Sequence, residues 1–203
     1  MGMSTILEIP KLPSTVVLDP PLTDEEFEKL CAANDFARLE RTKEGKIVVN
    51  APAGGDTSSG NAELVAQLRD WWQQHRQGRV FDSSGGFFLP DGSCLNPDAA
   101  YATSEQMQGL TKEDRKHFLR LTPAFVIELL SASDSLAGAK RKMDAGIANG
   151  AKLGWLIDPY GHKILVYEPG QEVRVETADK VAGAGPVAGF VLDLAAVWSL
   201  YED

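Results

Sequence analysis

The stretch Ala124-Phe125-Val126-Ile127-Glu128-Leu129-Leu130 is the most apolar strand-like segment of this 203-residue chain. A short, nearly continuous apolar run of this kind is typical of a buried β-strand. Glu128 interrupts the run between Ile127 and Leu129. A lone ionised carboxylate would cost several kcal/mol in such a strand, so Glu128 must be protonated, paired with a cation or bound to a metal ion.

The segments that follow this strand predict how the sheet is built. A helix over residues 134–149, ended by Gly150, leads to a strand over residues 153–158. A strand, a helix and a second strand in this order indicate a parallel pair joined by a crossover. Hairpin patterns elsewhere indicate antiparallel pairs, so the predicted fold class is mixed α/β: a mixed sheet flanked by helices.

The other elements are predicted from capping and turn signals. Residues 1–22 are predicted to be an extended N-terminal lead-in, and residues 23–203 a single domain with an N-terminal helix and hairpin. The remaining predicted elements are a helix over 23–34, hairpin strands over 36–40 and 46–50, a glycine-rich loop over 53–60, a helix over 61–77, strands over 79–82 and 86–89, a strand after Pro97, short surface helices within 104–120, strands over 162–168 and 172–177, and a helix over 194–200.

Composition limits the classes of function. A net charge of -9 excludes a chain that coats nucleic acid by bulk attraction, although residues 104–142 hold seven basic and five acidic side chains. No apolar run is long enough to span a membrane and no secretion signal is visible, which predicts a cytoplasmic protein. The two cysteines are too few for a disulfide framework or a zinc knuckle, so any metal ion would need oxygen ligands.

Asp98 raises the same question as Glu128. It precedes the small apolar strand Ala99-Ala100-Tyr101-Ala102 and so lies at the mouth of that strand. Two acids at the ends of neighbouring strands can share a hard cation such as Mg²⁺, with oxygen distances of about 2.0–2.1 Å. The simpler interpretation, in which Glu128 pairs with an arginine and Asp98 caps a turn, stays open for either acid alone.

Four segments carry a resemblance to a known family. They are Arg79-Val80-Phe81-Asp82-Ser83-Ser84-Gly85-Gly86-Phe87, Asn96-Pro97-Asp98, Val126-Ile127-Glu128-Leu129-Leu130-Ser131-Ala132-Ser133-Asp134 and Leu153-Gly154-Trp155-Leu156-Ile157-Asp158-Pro159. Over most of its length the chain resembles the Uma-two family of endonucleases, within the PD-(D/E)xK restriction-endonuclease-like superfamily.

The resemblance implies a restriction-endonuclease-like mixed sheet core with Asp98 and Glu128 as its two metal-binding acids. It also places a third acid on the helix before the sheet, at Glu63, which would hold a second metal ion or a metal-bound water. Without the resemblance, Glu63 is typical of an acid in the first turn of a helix, where it interacts favourably with the helix dipole.

The chain departs from the superfamily pattern at Leu130. In that pattern a lysine lies two residues after the second acid, on the same face of the strand. The resemblance supplies Lys142 on the following helix instead, whereas helical periodicity places Lys140 at the centre of the buried face, so both lysines stay candidates. Gly146 and Ala132 stand where the family usually has tyrosine and proline.

Two hypotheses of function follow. The first is an endonuclease that uses Mg²⁺, or alternatively Mn²⁺, to hydrolyse phosphodiester bonds in DNA, with Asp98, Glu128, Glu63 and Lys142 as its site and a homodimer as its assembly. The second is a nuclease-like fold without hydrolytic activity that serves as a binding or assembly module, as Leu130 and Gly146 suggest.

Overall fold

The structure is a computed structural model that describes residues 14–35 and 37–202. The strands are β1 (Ser14–Val16), β2 (Arg38–Arg41), β3 (Ile47–Asn50), β4 (Arg79–Asp82), β5 (Phe87–Phe88), β6 (Cys94–Leu95), β7 (Ala99–Ala102), β8 (Phe125–Leu129), β9 (Leu153–Asp158), β10 (Lys163–Tyr167), β11 (Arg174–Glu176), β12 (Lys180–Ala182) and β13 (Val191–Asp193). The helices are α1 (Asp24–Ala33), α2 (Gly55–His75), α3 (Ser104–Gln108), α4 (Leu136–Ala148) and α5 (Leu194–Trp198).

The strands form three sheets. A five-stranded sheet has the order β1-β3-β2-β6-β5, a six-stranded sheet has the order β11-β10-β9-β8-β7-β4, and β12 pairs with β13. In the six-stranded sheet β8 and β9 are parallel, and the other neighbours are antiparallel. The predicted mixed α/β fold, with a crossover helix between β8 and β9, is therefore confirmed.

Alternation along β8 divides the core into two layers. Phe125, Ile127 and Leu129 are buried in one cluster with apolar residues of α2, whereas Val126 is buried in a second cluster with Met143 of α4. Since successive residues of a strand face opposite sides of the sheet, Glu128 shares the side of Val126 and faces α4. This places the acidic residue of β8 against the crossover helix.

Helix α2 begins earlier than the sequence predicts. Its first residue is Gly55, whereas the sequence indicates a glycine-rich loop up to residue 60. Gly60 lies so close to β8 that an added Cβ would be 2.6 Å from Cδ2 of Leu129. Helical propensity misleads here because this turn of α2 packs against the Leu129 side chain of β8, and glycine at position 60 leaves room for that side chain.

The sequence also missed several short strands. The strands β1, β6, β12 and β13 have two or three residues each, too few for an alternating pattern to identify them. β1 lies in the described part of the predicted N-terminal lead-in, and residues 1–13 lie outside the described residues. Within the ranges that the structure describes, no helix is both long and apolar enough to cross a membrane.

Candidate active site

Asp98 and Glu128 lie next to each other at one edge of the six-stranded sheet. Ala99 pairs with Ile127 in the antiparallel ladder, so Asp98, one residue before Ala99, and Glu128, one residue after Ile127, lie at the same end of β7 and β8. The backbone N–H of Asp98 donates to the Ile127 carbonyl at 3.0 Å, which holds this end of β7 against β8. Both residues are buried, with 5% and 9% of their surface exposed.

The Asp98 carboxylate accepts three hydrogen bonds. Its Oδ2 accepts from the backbone N–H of Leu129 at 2.9 Å, and its Oδ1 accepts from Nδ2 of Asn61 at 3.1 Å. Arg38 of β2 completes the set, because its Nη1 lies 3.0 Å from the same Oδ1. These three donors fix the orientation of the Asp98 carboxylate.

Lys142 of α4 lies at the centre of the acidic cluster. Its Nζ is 2.9 Å from Oε1 of Glu128 and 2.7 Å from Oε1 of Glu40 on β2. Nζ also donates to the backbone carbonyl of Asn96 at 2.8 Å. The ammonium is thus surrounded by three oxygens, as a small bound cation would be, and all three of its N–H donors are used.

Burial and like charge shift the pKa values of this cluster. Burial is the largest effect on Glu128 and raises its pKa to about 8, with Asp98 and Glu40 adding to the rise although Lys142 opposes it. Burial opposes the charge of Lys142, but the three surrounding acids outweigh it and raise the Lys142 pKa above its ordinary value. The cluster therefore retains its ammonium and favours a proton on Glu128 near neutral pH.

Of the two candidate lysines, the structure brings only Lys142 to the acids. Lys140 is exposed on α4, and the buried residues of that helix are Met143 and Gly146. The prediction from periodicity, which put Lys140 at the centre of the buried face, is wrong because Gly146 rather than a larger side chain packs against the sheet. Lys142 reaches the cluster from the edge of that face along its flexible stem.

The structure does not bring Glu63 to Asp98 and Glu128. Its Oε1 accepts a hydrogen bond from Nε2 of Gln67 at 2.8 Å, and the same Nε2 donates to the backbone carbonyl of Asp193. Asn61 is the α2 residue that contacts Asp98. Glu63 comes two residues later, which is a rotation of about 200° around the helix axis, so Glu63 lies on the other side of α2 from Asn61. The role predicted for Glu63 therefore has no geometric support.

Sequence reasoning missed Glu40 and Arg38, the two site residues supplied by the hairpin. Glu40 is buried, and besides Lys142 its Oε1 accepts from the backbone N–H of Asn96 at 2.8 Å. The available signal was alternation in Arg38-Leu39-Glu40, where Leu39 is buried in the hairpin core and both charged neighbours face the other side.

Asp98, one of the three clustered acids, lines a cavity of about 620 Å³ between the hairpin and α2. Asp98, Asn61 and Arg38 line its inner end. The Arg38 side chain keeps 30% of its surface exposed, so the arginine that pairs with Asp98 does not close the site into the interior. A ligand that enters this cavity would reach Asp98.

The cluster contains oxygen donors of the kind that hard divalent cations prefer, but protein cations occupy them. Buried amide oxygens of Asn61 and Asn96 have no hydrogen-bond partner in the described part of the chain, and they accompany three carboxyl groups. Within residues 14–35 and 37–202, no three acidic, histidine or cysteine side chains converge closely enough to hold a metal ion, because Lys142 and Arg38 occupy the positions between the acids. Oxygen ligands are abundant, but a cation would have to compete with an ammonium.

The mixed sheet with acids at one edge and a lysine on the crossover helix defines a nuclease-like class of fold. The model of the family described as "Uma2: Putative restriction endonuclease" matches residues 24–195, and the chain belongs to this family. The resemblance recognised in the sequence is thereby confirmed.

A solved structure is similar in fold. The crystal structure of a "putative nuclease belonging to DUF820" from Anabaena variabilis ATCC 29413 has a TM-score of 0.70 and 23% sequence identity, covering 89% of this chain and 99% of that one. At this level of identity the likeness concerns the fold alone. No curated protein matches the chain.

Proposed function

We propose that this protein is a metal-dependent endonuclease that hydrolyses phosphodiester bonds in DNA. The observation that carries the proposal is the burial of Glu128 beside Asp98 and Glu40, around one ammonium, with Asp98 also lining an open cavity. A purely structural ion pair would need one carboxylate, whereas three lie here. Membership of a family described as restriction endonucleases supports the same reaction class.

With Lys142 displaced from its position between them, Asp98, Glu128 and Glu40 would hold Mg²⁺ or Mn²⁺, and Glu40 rather than Glu63 would be the third acid. The amide oxygens of Asn61 and Asn96, which accept no hydrogen bond from any described residue, add neutral ligands of the same hard type. When bound, the metal ion would supply a water of lowered pKa and would stabilise negative charge on the phosphate.

The chain's own residues set up this chemistry. Three donors orient the Asp98 carboxylate. Lys142 holds Glu40 and Glu128 at 2.7 Å and 2.9 Å, which keeps the hairpin acid beside the acid of β8. Leu130 cannot contact the phosphate as a cation, so positive charge at this site comes from Lys142 and Arg38.

Cleavage of supercoiled plasmid DNA tests the proposed function. The wild-type protein should nick or linearise the plasmid with Mg²⁺ or Mn²⁺ and should be inactive with EDTA. Asp98→Asn and Glu128→Gln should each lower the rate by about a hundredfold or more, as loss of a charge-stabilising group does at other active sites. Asp70→Asn, an exposed α2 residue with the same chemical change, should retain the wild-type rate. Equal activity in Asp98→Asn and wild type would overturn the assignment.

One observation favours a second candidate, a nuclease-like fold that binds without hydrolysing. Lys142 already satisfies its three donors with protein oxygens, so the cluster is electrically near balance without a metal ion. In that case plasmid would stay intact with either metal ion at any protein concentration, and Asp98→Asn would change protein stability alone.

A further inference from the structure

Lys142 is poorly placed to be the cation that contacts the substrate phosphate. Its ammonium has three N–H donors, and these are directed to Glu40, Glu128 and the Asn96 carbonyl at 2.7–2.9 Å. Its side chain is only 18% exposed. Lys142 would therefore have to break its contact with Glu40 or Glu128 before it could bind a phosphate.

Arg38 has donors to spare. Its Nη1 donates to Oδ1 of Asp98 at 3.0 Å and its Nη2 donates to the Asn96 carbonyl at 3.0 Å. A guanidinium has five N–H groups, so three of them have no protein acceptor among the described residues. Arg38 is also more exposed than Lys142 and lines the cavity.

The cavity beside Arg38 has the size and lining of a nucleotide site. Its volume of about 620 Å³ lies within the range of small-ligand pockets, roughly 300–1,000 Å³. One wall is apolar, formed by Ala62, Val65 and Ala66 of α2, where a sugar or a base face can pack. The guanidinium of Arg69, on the same wall, is held 4.1 Å from the centre of the Trp72 ring.

The charges of the cavity indicate how a nucleotide would lie in it. Arg38 is at the inner end beside Asp98, whereas Asp35 and Asp82 also line the cavity and would repel a phosphate. Carboxylates accept hydrogen bonds from base N–H groups, as they do from cytosine N4. The phosphate would therefore lie at the free N–H groups of Arg38, and a base N–H group would donate to Asp35 or Asp82.

We propose that Arg38 is a catalytic residue that binds the scissile phosphate, and that the cavity it lines holds the adjoining nucleotide. The guanidinium keeps its bond to Asp98 while its free N–H groups bind two phosphate oxygens, a geometry that arginine provides and lysine does not. Arg38 thus replaces the lysine that Leu130 removes from the superfamily pattern. This proposal rests on the proposed nuclease function.

Binding of a short fluorescein-labelled DNA duplex, followed by anisotropy with Ca²⁺ in place of Mg²⁺, tests the role of Arg38 apart from hydrolysis. Arg38→Gln should weaken binding by about tenfold to a hundredfold, the range expected for a charge-assisted hydrogen-bond pair. The slope of log K against log salt should fall by about one. Arg38→Lys should recover part of the affinity, and Arg79→Gln, an exposed arginine outside the cavity, should bind as wild type.

Each outcome has a defined meaning. Equal affinity in Arg38→Gln and wild type, equal loss in Arg79→Gln, or absence of DNA binding by the wild-type protein would overturn the proposal. If Arg38→Gln does not fold, Arg38→Lys decides, and wild-type affinity in that folded variant would also overturn it. Tight, Arg38-dependent binding by a protein that leaves plasmid intact would support Arg38 while refuting the proposed nuclease function.

Discussion

Ionisation of Glu128 is unfavourable in this fold because Glu128 is buried near two other acids. With Glu40, Asp98 and Glu128 all ionised, three negative charges face two positive ones in a region largely removed from water. Burial is the main cause of the Glu128 pKa of about 8, and a proton on Glu128 also removes the charge imbalance. A divalent cation would also offset this negative charge, so proton and metal ion compete for this carboxyl group.

The raised pKa of Glu128 predicts a specific dependence of stability on pH. Its ordinary value is 4.5 and its value in the folded protein is about 8, so the folded state binds the proton more tightly than the unfolded state. The stabilisation is fully present below pH 4.5 and is lost as pH rises through about 8. The loss amounts to about 5 kcal/mol at most.

Glu128→Gln cannot ionise and should remove this pH dependence. We expect the free energy of unfolding of the variant, relative to wild type, to rise by several kcal/mol between pH 5 and pH 9 in metal-free urea titrations. Parallel curves for the two proteins over this range would show that Glu128 ionises normally in the folded state.

Lys142 and Lys140 provide a matched pair for testing which lysine the cluster needs. Lys142→Met leaves Glu40 and Glu128 without their shared cation and should destabilise the protein by about 3–5 kcal/mol. Lys140→Met changes an exposed residue and should stay within about 0.5 kcal/mol of wild type. Urea unfolding measures both, and a comparable loss in the two variants would contradict the assignment of Lys142.

At the scale of elements, α4 contains a glycine that the fold does not require. An added Cβ at Gly146 would lie 3.9 Å from Cγ2 of Val126, an ordinary contact distance. Because alanine has the higher helical propensity, Gly146→Ala should raise the free energy of unfolding by about 0.5–1 kcal/mol. Thermal or urea unfolding measures this gain.

Gly78 is the informative contrast to Gly146. It has a φ of +66°, and an added Cβ would lie 2.2 Å from the Ala102 carbonyl oxygen. Gly78→Ala should therefore destabilise the protein by more than about 1 kcal/mol. A destabilising Gly146→Ala would mean that α4 packs more tightly on β8 than the structure indicates.

The elements also show where sequence reasoning reaches its limit. The apolar run around Glu128, the crossover helix and the strand after it were predictable because each has a clear period and a clear end. Helix α2 was recognised, but its site residue was not, since Asn61 and Glu63 differ only in the side of the helix that they occupy. That choice depends on how α2 packs on β8 at Gly60, which periodicity alone does not determine.

At the scale of the whole molecule, the candidate site joins two sheets. Arg38 and Glu40 come from β2 of the five-stranded sheet, Asp98 and Glu128 from the six-stranded sheet, and Lys142 from α4. The residues of the six-stranded sheet belong to recognisable motifs and were predicted. The hairpin residues were not, because only the docking of one sheet on the other shows that Glu40 faces Lys142.

Calorimetric titration of the metal-free protein with Mg²⁺ and Mn²⁺ tests the metal site most directly. Wild type should bind a divalent cation, and Asp98→Asn, Glu128→Gln and Glu40→Gln should each weaken binding by about tenfold or more, since each removes a charged ligand. Glu44→Gln, in the exposed turn of the same hairpin, should bind as wild type. Heats equal to dilution for the wild-type protein, or full affinity in Glu128→Gln, would contradict a metal site at this cluster.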